Sequence, residues 1–286
     1  MKKLISFGKE LGREISNDNV PLLGAAQAFY YLLSVVPMLI LIISILPYLN
    51  IDPEWAIGVI ENMMPEETAE IFHDQIVSVV TEPRGGLLTI GIIGTIWSAS
   101  NGINAFIKAQ NEAYNVEESR SFIKARLVSI ALTFGMIMAF IIALLLPIFG
   151  DVIINFINSL VNLPSETEIL FRVLRWTISI TVIAAILAAL YHFAPNKKTP
   201  FKHAIPGALF ATIAWQLTSL GFSFYVSNFG NYSATYGSLG GVVILMFWFF
   251  LTGIILVIGA EINAVLHRRK TQDISQQESE NTSLQQ

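Results

Sequence analysis

The chain has 286 residues, a formal net charge of −4, no cysteine, and 13% charged against 53% hydrophobic residues. A soluble domain carries about 25% charged residues, so a water-exposed globule of this length is excluded. The acidic balance argues against a general nucleic-acid binder, which needs many phosphate-neutralising cations. Without cysteine there are no disulfides, thiolate metal sites or cysteine nucleophiles.

The first segment, residues 1–19, begins with Met1-Lys2-Lys3, like the basic start of a secretory signal. Lys9, Glu10, Arg13, Glu14 and Asp18 interrupt any short apolar core after it. Leu4, Leu11 and Ile15 recur at helical spacing, which predicts a short amphipathic helix lying on the membrane rather than a solvated tail.

Beyond Asp18 the charges retreat to the ends of apolar stretches. No Asp, Glu, Lys or Arg occurs between Asp18 and Asp52, Arg84 and Lys108, Arg126 and Asp151, or Arg175 and Lys197. Each run suits one crossing of the hydrocarbon, which needs about 20 apolar residues per helix. The run from Lys202 to Glu261 is long enough for two, and Ser227–Gly237 breaks it with Gly, Asn and Ser. Unpaired backbone is too costly in lipid for anything but helices or closed barrels, and no strand alternation is visible. The expected fold is therefore all-α and polytopic. Six transmembrane helices fall at roughly 25–48, 86–106, 127–149, 171–194, 204–227 and 239–266, within a membrane domain of residues 20–268.

Lys and Arg set the orientation. Of the 17 cations, 14 fall on one predicted side, so both termini are expected in the cytoplasm. The first outer loop is acidic, and from Pro65 it reads as an amphipathic helix. Ile71, Phe72, Ile76, Val79 and Val80 form its apolar side, and Glu67, Glu70 and Asp74 its acidic side. That side is either a solvated face or a vestibule for cations. Residues 269–286 are polar and rich in Gln, Ser and Glu, a composition that predicts a disordered cytoplasmic tail.

Polar residues inside the spans are costly and therefore candidates for function. Glu261 stands out, in Gly259-Ala260-Glu261-Ile262-Asn263 of the last helix. Two readings stay open for it: an ion-pair partner of Arg120 or Arg126, or a proton or ion ligand. Asn263 lies beside it. In the second span Ser98, Asn101 and Asn104 share a face that continues to Lys108. Gly94, Ser98 and Gly102 step by four there, the small-residue pattern of a tight helix contact. The stripe is either that contact or the lining of a cavity open to the cytoplasm. In the fifth span Thr212, Gln216, Ser219 and Ser223 are expected to face the bundle interior, as packing groups or pathway lining. The first span adds Gln27 and Ser34, with Pro37 as a kink. Arg172 and Arg175 open the fourth span and read as snorkelling or ion-paired cations.

Several chemistries leave no trace. The sequence has no phosphate-binding G-x-x-x-x-G-K-[ST] loop, no H-E-x-x-H and no G-x-S-x-G elbow. His73, His192, His203 and His267 lie in separate segments without ligand spacing. Most acids fall on the outer side, where they could not form a cytoplasmic nuclease centre. No enzyme activity, cofactor, resident metal or nucleic-acid partner is expected.

The stretch Gly24-Ala25-Ala26-Gln27-Ala28-Phe29-Tyr30-Tyr31-Leu32-Leu33-Ser34-Val35-Val36-Pro37 opens a series of motifs. It continues with Trp97-Ser98-Ala99-Ser100, Asn111-Glu112-Ala113-Tyr114, Arg120-Ser121-Phe122, Arg126 and Pro206-Gly207-Ala208. Trp215, Tyr225, Tyr232, Tyr236-Gly237-Ser238-Leu239, Trp248 and Gly259-Ala260-Glu261-Ile262-Asn263-Ala264 complete it. In this order, from about 20 to 266, they resemble the YihY/BrkB family of bacterial inner-membrane proteins. Gln27 departs from the pattern, where the family tends to a small or apolar residue. The resemblance implies a six-helix protein of the bacterial plasma (inner) membrane. The family has carried a ribonuclease BN label, a virulence label and a link to lipopolysaccharide export. None of these maps onto catalytic residues here.

The expected function is transport or translocation of a small solute or lipid-like envelope component, with membrane lipids as surroundings. The alternative is a non-transporting scaffold for envelope assembly, and a membrane-bound nuclease ranks third.

Overall fold

The computed structural model describes residues 2–48, 54, 57–58, 77–78, 81–137, 165–229 and 239–283. Among them every regular element is helical. Helix α1 spans Lys2–Asn17, α2 Val20–Ile45, α3 Gly85–Ala113, and α4 covers 122–137 up to the edge of the described residues. Helix α5 spans Ser165–Phe193, α6 Ile205–Phe229 and α7 Gly240–Ser283. The outer amphipathic helix expected from Pro65 lies outside the described residues.

Among the described residues, four helical stretches are long and apolar enough to cross a membrane: Val20–Ile45, Gly85–Ala113, Phe201–Asn228 and Gly240–Gln272. Ile180–Phe193 of α5 is a shorter apolar helix. The most apolar window of Gly240–Gln272 has a mean hydropathy of 2.8, yet only 22% of it is buried within the chain. Leu22, Trp97, Leu217, Leu220, Phe224 and Phe247 are all more than half exposed. Apolar patches beyond a few hundred Å² are rare on water-facing monomers, so these surfaces are built for lipid.

Two boundaries differ from the sequence reading. Helix α5 starts at Ser165, before Arg172 and Arg175, because charged residues can be helical without being apolar. Helix α7 runs on to Ser283, through residues whose composition predicted disorder. Gln, Glu and Lys propagate a helix well once its costly nucleus exists, and the apolar span supplies that nucleus.

The chain divides into two compact units, Phe29–Gly102 and the combination of Met1–Ala28 with Ile103–Gln286. In the first, α3 lies tightly on α2. A Cβ at Gly102 would come within 2.8 Å of the Tyr31 ring, and one at Gly94 within 3.3 Å of Pro37. The Gly94/Ser98/Gly102 pattern is thus the tight helix contact.

In the second unit α7 is the central element. It packs on α6, α6 on α5, and α1 on α7. The core gathers Ile103, Phe106 and Ile107 of α3, Tyr191 of α5, Ala208 and Ala211 of α6, and Leu256, Ala260 and Ala264 of α7. Small residues let the backbones approach closely. A Cβ on Gly207 would collide with the Gly259 carbonyl, and one on Gly259 with the Tyr191 hydroxyl. That hydroxyl donates to the Leu256 carbonyl at 2.8 Å. On another face of α7, Val257 packs with Val20 and Ala109.

Candidate functional site

The last helix presents different residues to different neighbours. Towards α6 it sends Asn263, which is fully buried. Asn263 Oδ1 accepts from the Gly207 amide at 2.7 Å, and Nδ2 donates to the Ala204 carbonyl at 3.2 Å. The first amides of a helix have no partner within it, and Asn263 satisfies one of them from outside. Its role here is to staple two helices together.

Glu261 is two residues away and fully buried, yet no amide, hydroxyl or cationic group donates to either carboxylate oxygen, and its one polar neighbour at hydrogen-bonding range is the Asp18 carboxyl. Its neighbours come from the chain's opposite end. Glu14 sits in the last turn of α1 and Asp18 one turn later, so both point from one face. Asn19 then takes a left-handed conformation, φ 49°, which short polar residues tolerate. The chain reverses there and Val20 enters the core. As a result, carboxylate oxygens of Glu14, Asp18 and Glu261 lie within 4.8 Å of one another. The Arg268 guanidinium approaches Glu14 at 3.1 Å, and Arg13 lies 3.6 Å from the same carboxylate. Burial pushes the Asp18 carboxyl above its ordinary value, a side-chain hydrogen bond with Glu261 opposes the rise, and the charge of Glu14 adds to it while Arg268 opposes it. At an effective dielectric near 20, two like charges at this spacing repel by roughly 3–4 kcal/mol. The cluster therefore demands a proton or a cation.

The sequence reading offered Arg120 or Arg126 as the partner of Glu261. Arg120 is engaged elsewhere. Its Nε lies 2.7 Å and its Nη2 2.8 Å from the two oxygens of Glu118, and Nη2 also donates to the Ala194 carbonyl at 2.9 Å. Glu118 further accepts from Asn111 Nδ2 at 3.1 Å, and Asn111 Oδ1 accepts from the Asn196 amide at 2.7 Å. Asn196 Nδ2 reaches the Glu117 carbonyl and the Ser119 hydroxyl. This latch ties the α3–α4 connection to the end of α5. Helix α3 ends there with Asn115 left-handed at φ 51° and the Val116 amide bonded back to the Asn111 carbonyl. Burial raises the Glu118 carboxyl, but the hydrogen bonds and charge of Arg120 and the Asn111 amide outweigh that and hold it below the ordinary range. Arg126 is half-buried on α4.

The remaining candidates divide by burial. Gln27 is fully buried, with Nε2 3.4 Å from the Leu23 carbonyl. Ser98, Asn101 and Asn104 are half-buried on α3. Thr212 is fully buried and bonded to the Ala208 carbonyl at 2.8 Å. Gln216 and Ser219 are half-buried, and Ser223 is exposed. The α6 stripe thus turns outward towards its C-terminal end instead of facing inward along its whole length.

Sequence reasoning missed two groupings. The acids of the N-terminal segment meet the buried acid of the last helix, where a scarcity of cytoplasmic carboxylate clusters had been expected. His203 and His267, read as unrelated, have their Nδ1 atoms 2.8 Å apart. They adjoin a basic pocket of about 340 Å³ lined by Lys202, His203, Pro206, Leu266, Arg269 and Lys270. Arg269 is already paired with Glu10 at 2.6 Å. No local pattern announced either grouping, because the partners are far apart in sequence.

Residues 11–283 match the family model described as virulence factor BrkB. The chain is 43% identical to the ribonuclease-like protein YfkH of Bacillus subtilis, over 93% of this chain and 97% of that protein. It is 28% identical to a UPF0761 membrane protein of Vibrio vulnificus (strain YJ016), over 95% of this chain and 87% of the relative. It is 30% identical to one from Vibrio parahaemolyticus, over 92% and 82%. No solved structure matches the chain.

Proposed function

Since this chain belongs to the virulence factor BrkB family, whose relatives include named membrane proteins, we propose that it moves a small solute or lipid-like envelope component across the bacterial plasma membrane. In this reading it spans the membrane six times with both termini in the cytoplasm, and catalyses no reaction. The observation that carries the reading is Glu261, an ionisable side chain with no exposed surface and no polar partner but another acid, in a helix apolar enough to cross a membrane. Buried polar groups are nearly always satisfied, and an exception asks for an explanation in function. Asn263 and Thr212, by contrast, have partners within the fold and serve packing.

Those satisfied groups favour the second reading, a scaffold for envelope assembly that uses tight helix contacts without moving anything. The ribonuclease-like name of the Bacillus relative raises a third reading, a nuclease. The complete burial of Glu261 speaks against it, since a metal-dependent nuclease must bring its carboxylates to the scissile phosphate. RNA cleavage by the purified protein, abolished by Glu261→Gln, would overturn the non-enzymatic reading.

Two measurements test the proposal. Single substitutions Pro83→Cys and Lys198→Cys, both at exposed positions, label from opposite sides of the membrane if the topology holds. Labelling from the same side sinks the six-span arrangement. Purified protein is then screened for ligand-dependent stabilisation, since whatever binds the folded state raises its stability by mass action. A stabilising solute or lipid is followed into proteoliposomes, and flux that Glu261→Gln leaves untouched removes Glu261 from the pathway.

A further inference from the structure

We propose that Glu14, Asp18 and Glu261 form a binding site for one hard divalent cation, calcium, magnesium or manganese, that clamps the N-terminal helix onto the last membrane helix. The site deepens the reading of Glu261 as a ligand-binding group, and shares that residue with it, but does not depend on transport.

The geometry is that of ligands around one ion. Oxygens bound to one hard cation lie at most twice the bond length apart, about 4 Å for magnesium and about 5 Å for calcium. The carboxylate oxygens of all three residues fall within 4.8 Å of one another. Oxygen-only donors select magnesium, calcium or manganese over softer metals.

A group of acids alone proves nothing, because surface carboxylates cluster without any ion. Here the burial is different in kind. Glu261 is 0% exposed, and no amide, hydroxyl or cationic group donates to either of its oxygens or to the buried Oδ2 of Asp18, so the two carboxyls have only each other. An ionised carboxylate only accepts hydrogen bonds, so two facing carboxylates cannot satisfy each other. Something positive has to sit between them.

The resident cations do not suffice. Arg268 approaches Glu14 at 3.1 Å and also donates to the Ala113 carbonyl at 3.3 Å. Arg13 reaches Glu14 only at 3.6 Å and is largely exposed. Both attend Glu14, and the salt bridges among the described residues include none to Asp18 or Glu261. Three carboxylates beside Arg268 leave two negative charges, which one divalent ion neutralises. Glu14, with 13% of its side chain exposed, and Asp18, which is half-buried, mark the side from which the ion enters. The competing occupant is a single proton shared between Asp18 and Glu261.

The ion's consequence is mechanical. Glu14 and Asp18 belong to the amphipathic segment and Glu261 to the span, so occupancy fastens one to the other. The neighbouring pairs, Arg269 with Glu10 at 2.6 Å and Arg268 with Glu14, hold the same seam without a metal.

The test uses the full chain in detergent, stripped with a chelator. Thermal midpoints are read against added MgCl2, MnCl2 or CaCl2, with NaCl at matched ionic strength as control, and bound Mn2+ is counted by electron paramagnetic resonance. The expected result is a saturable rise of several degrees with at least one of the three divalent salts, and close to one bound Mn2+ per chain. Glu261→Gln and Asp18→Asn should abolish both responses while leaving the metal-free midpoint equal or higher, because each removes a repelling charge. Glu112→Gln, at an exposed site outside the cluster, should keep both. No saturable response to any of the three, or one that persists in Glu261→Gln and Asp18→Asn, overturns the proposal and leaves the shared proton as occupant. Loss of flux in Glu261→Gln without any metal response would preserve the transport reading and sink this one. Metal binding without flux would do the reverse.

Discussion

Two groups of charges in the same unit have opposite fates. In the latch, Glu118, Arg120, Asn111 and Asn196 form a closed circuit in which each charge meets an opposite charge or a dipole. In the acidic cluster, Glu14, Asp18 and Glu261 face one another, and the two arginines that approach, Arg268 and Arg13, both serve Glu14 at the edge. Glu118 is held below its ordinary range, and Asp18 is pushed above it. The difference separates a polar group that holds the fold together from one that awaits a ligand. A satisfied network stabilises and is spent; an unsatisfied one has binding capacity left over.

Breaking the latch should show the largest effect. Arg120→Ala leaves Glu118 without its counter-ion and the Ala194 carbonyl without its donor, in a site where the Arg120 side chain is only 10% exposed. Removing one partner of such a pair costs about 2–3 kcal/mol, read as a lowered thermal midpoint in detergent. A loss below about 0.5 kcal/mol would mean the latch is decorative.

The cluster should respond in the opposite direction. Asp18→Asn relieves repulsion and should stabilise the metal-free protein by roughly 1–2 kcal/mol. The pH dependences differ in sign as well. The folded-state value for Glu118 lies below its ordinary 4.5, so its contribution is present above that pH and fades as pH falls through the folded value. Asp18 lies above its ordinary 3.8, so it costs stability at neutral pH and the cost disappears as pH falls through its folded value. The gain from Asp18→Asn should therefore shrink on acidification. A gain that grows on acidification would show the cluster to be stabilising rather than frustrated.

The smallest effect is expected where a polar residue does neither job. Ser223 is exposed at the far end of the α6 stripe, and Ser223→Ala should change the midpoint by less than about 0.5 kcal/mol. A larger loss would mean that this surface is covered in the membrane, by another copy or by a lipid.

Much of the helix pattern was legible because it is a one-dimensional property. Charge-free runs long enough to cross a bilayer can be counted, and among the described residues four helices long and apolar enough to cross, with a fifth, shorter apolar helix, lie on them. The Gly94/Ser98/Gly102 spacing was legible for the same reason, since residues four apart share a face. Helix ends were less so: the charged opening of α5 and the polar end of α7 are helical without being apolar. Asn263 was singled out as polar and buried, but its part in anchoring Gly207 depends on how two helices cross.

By itself, then, the sequence determined that the regular elements among the described residues are helical, where four membrane-compatible stretches run, and that Glu261 is an expensive residue. It also placed Asn111, Glu118 and Arg120 within ten residues of one another, the local half of the latch. Only the tertiary structure decided that Glu261 meets Glu14 and Asp18 instead of Arg120 or Arg126. The physical reason lies in α7 itself. A helix that is apolar all round carries no hydrophobic face from which its rotation can be read. Its orientation comes from close-packing of small residues such as Gly207 and Gly259, and that packing selects which acids Glu261 must face.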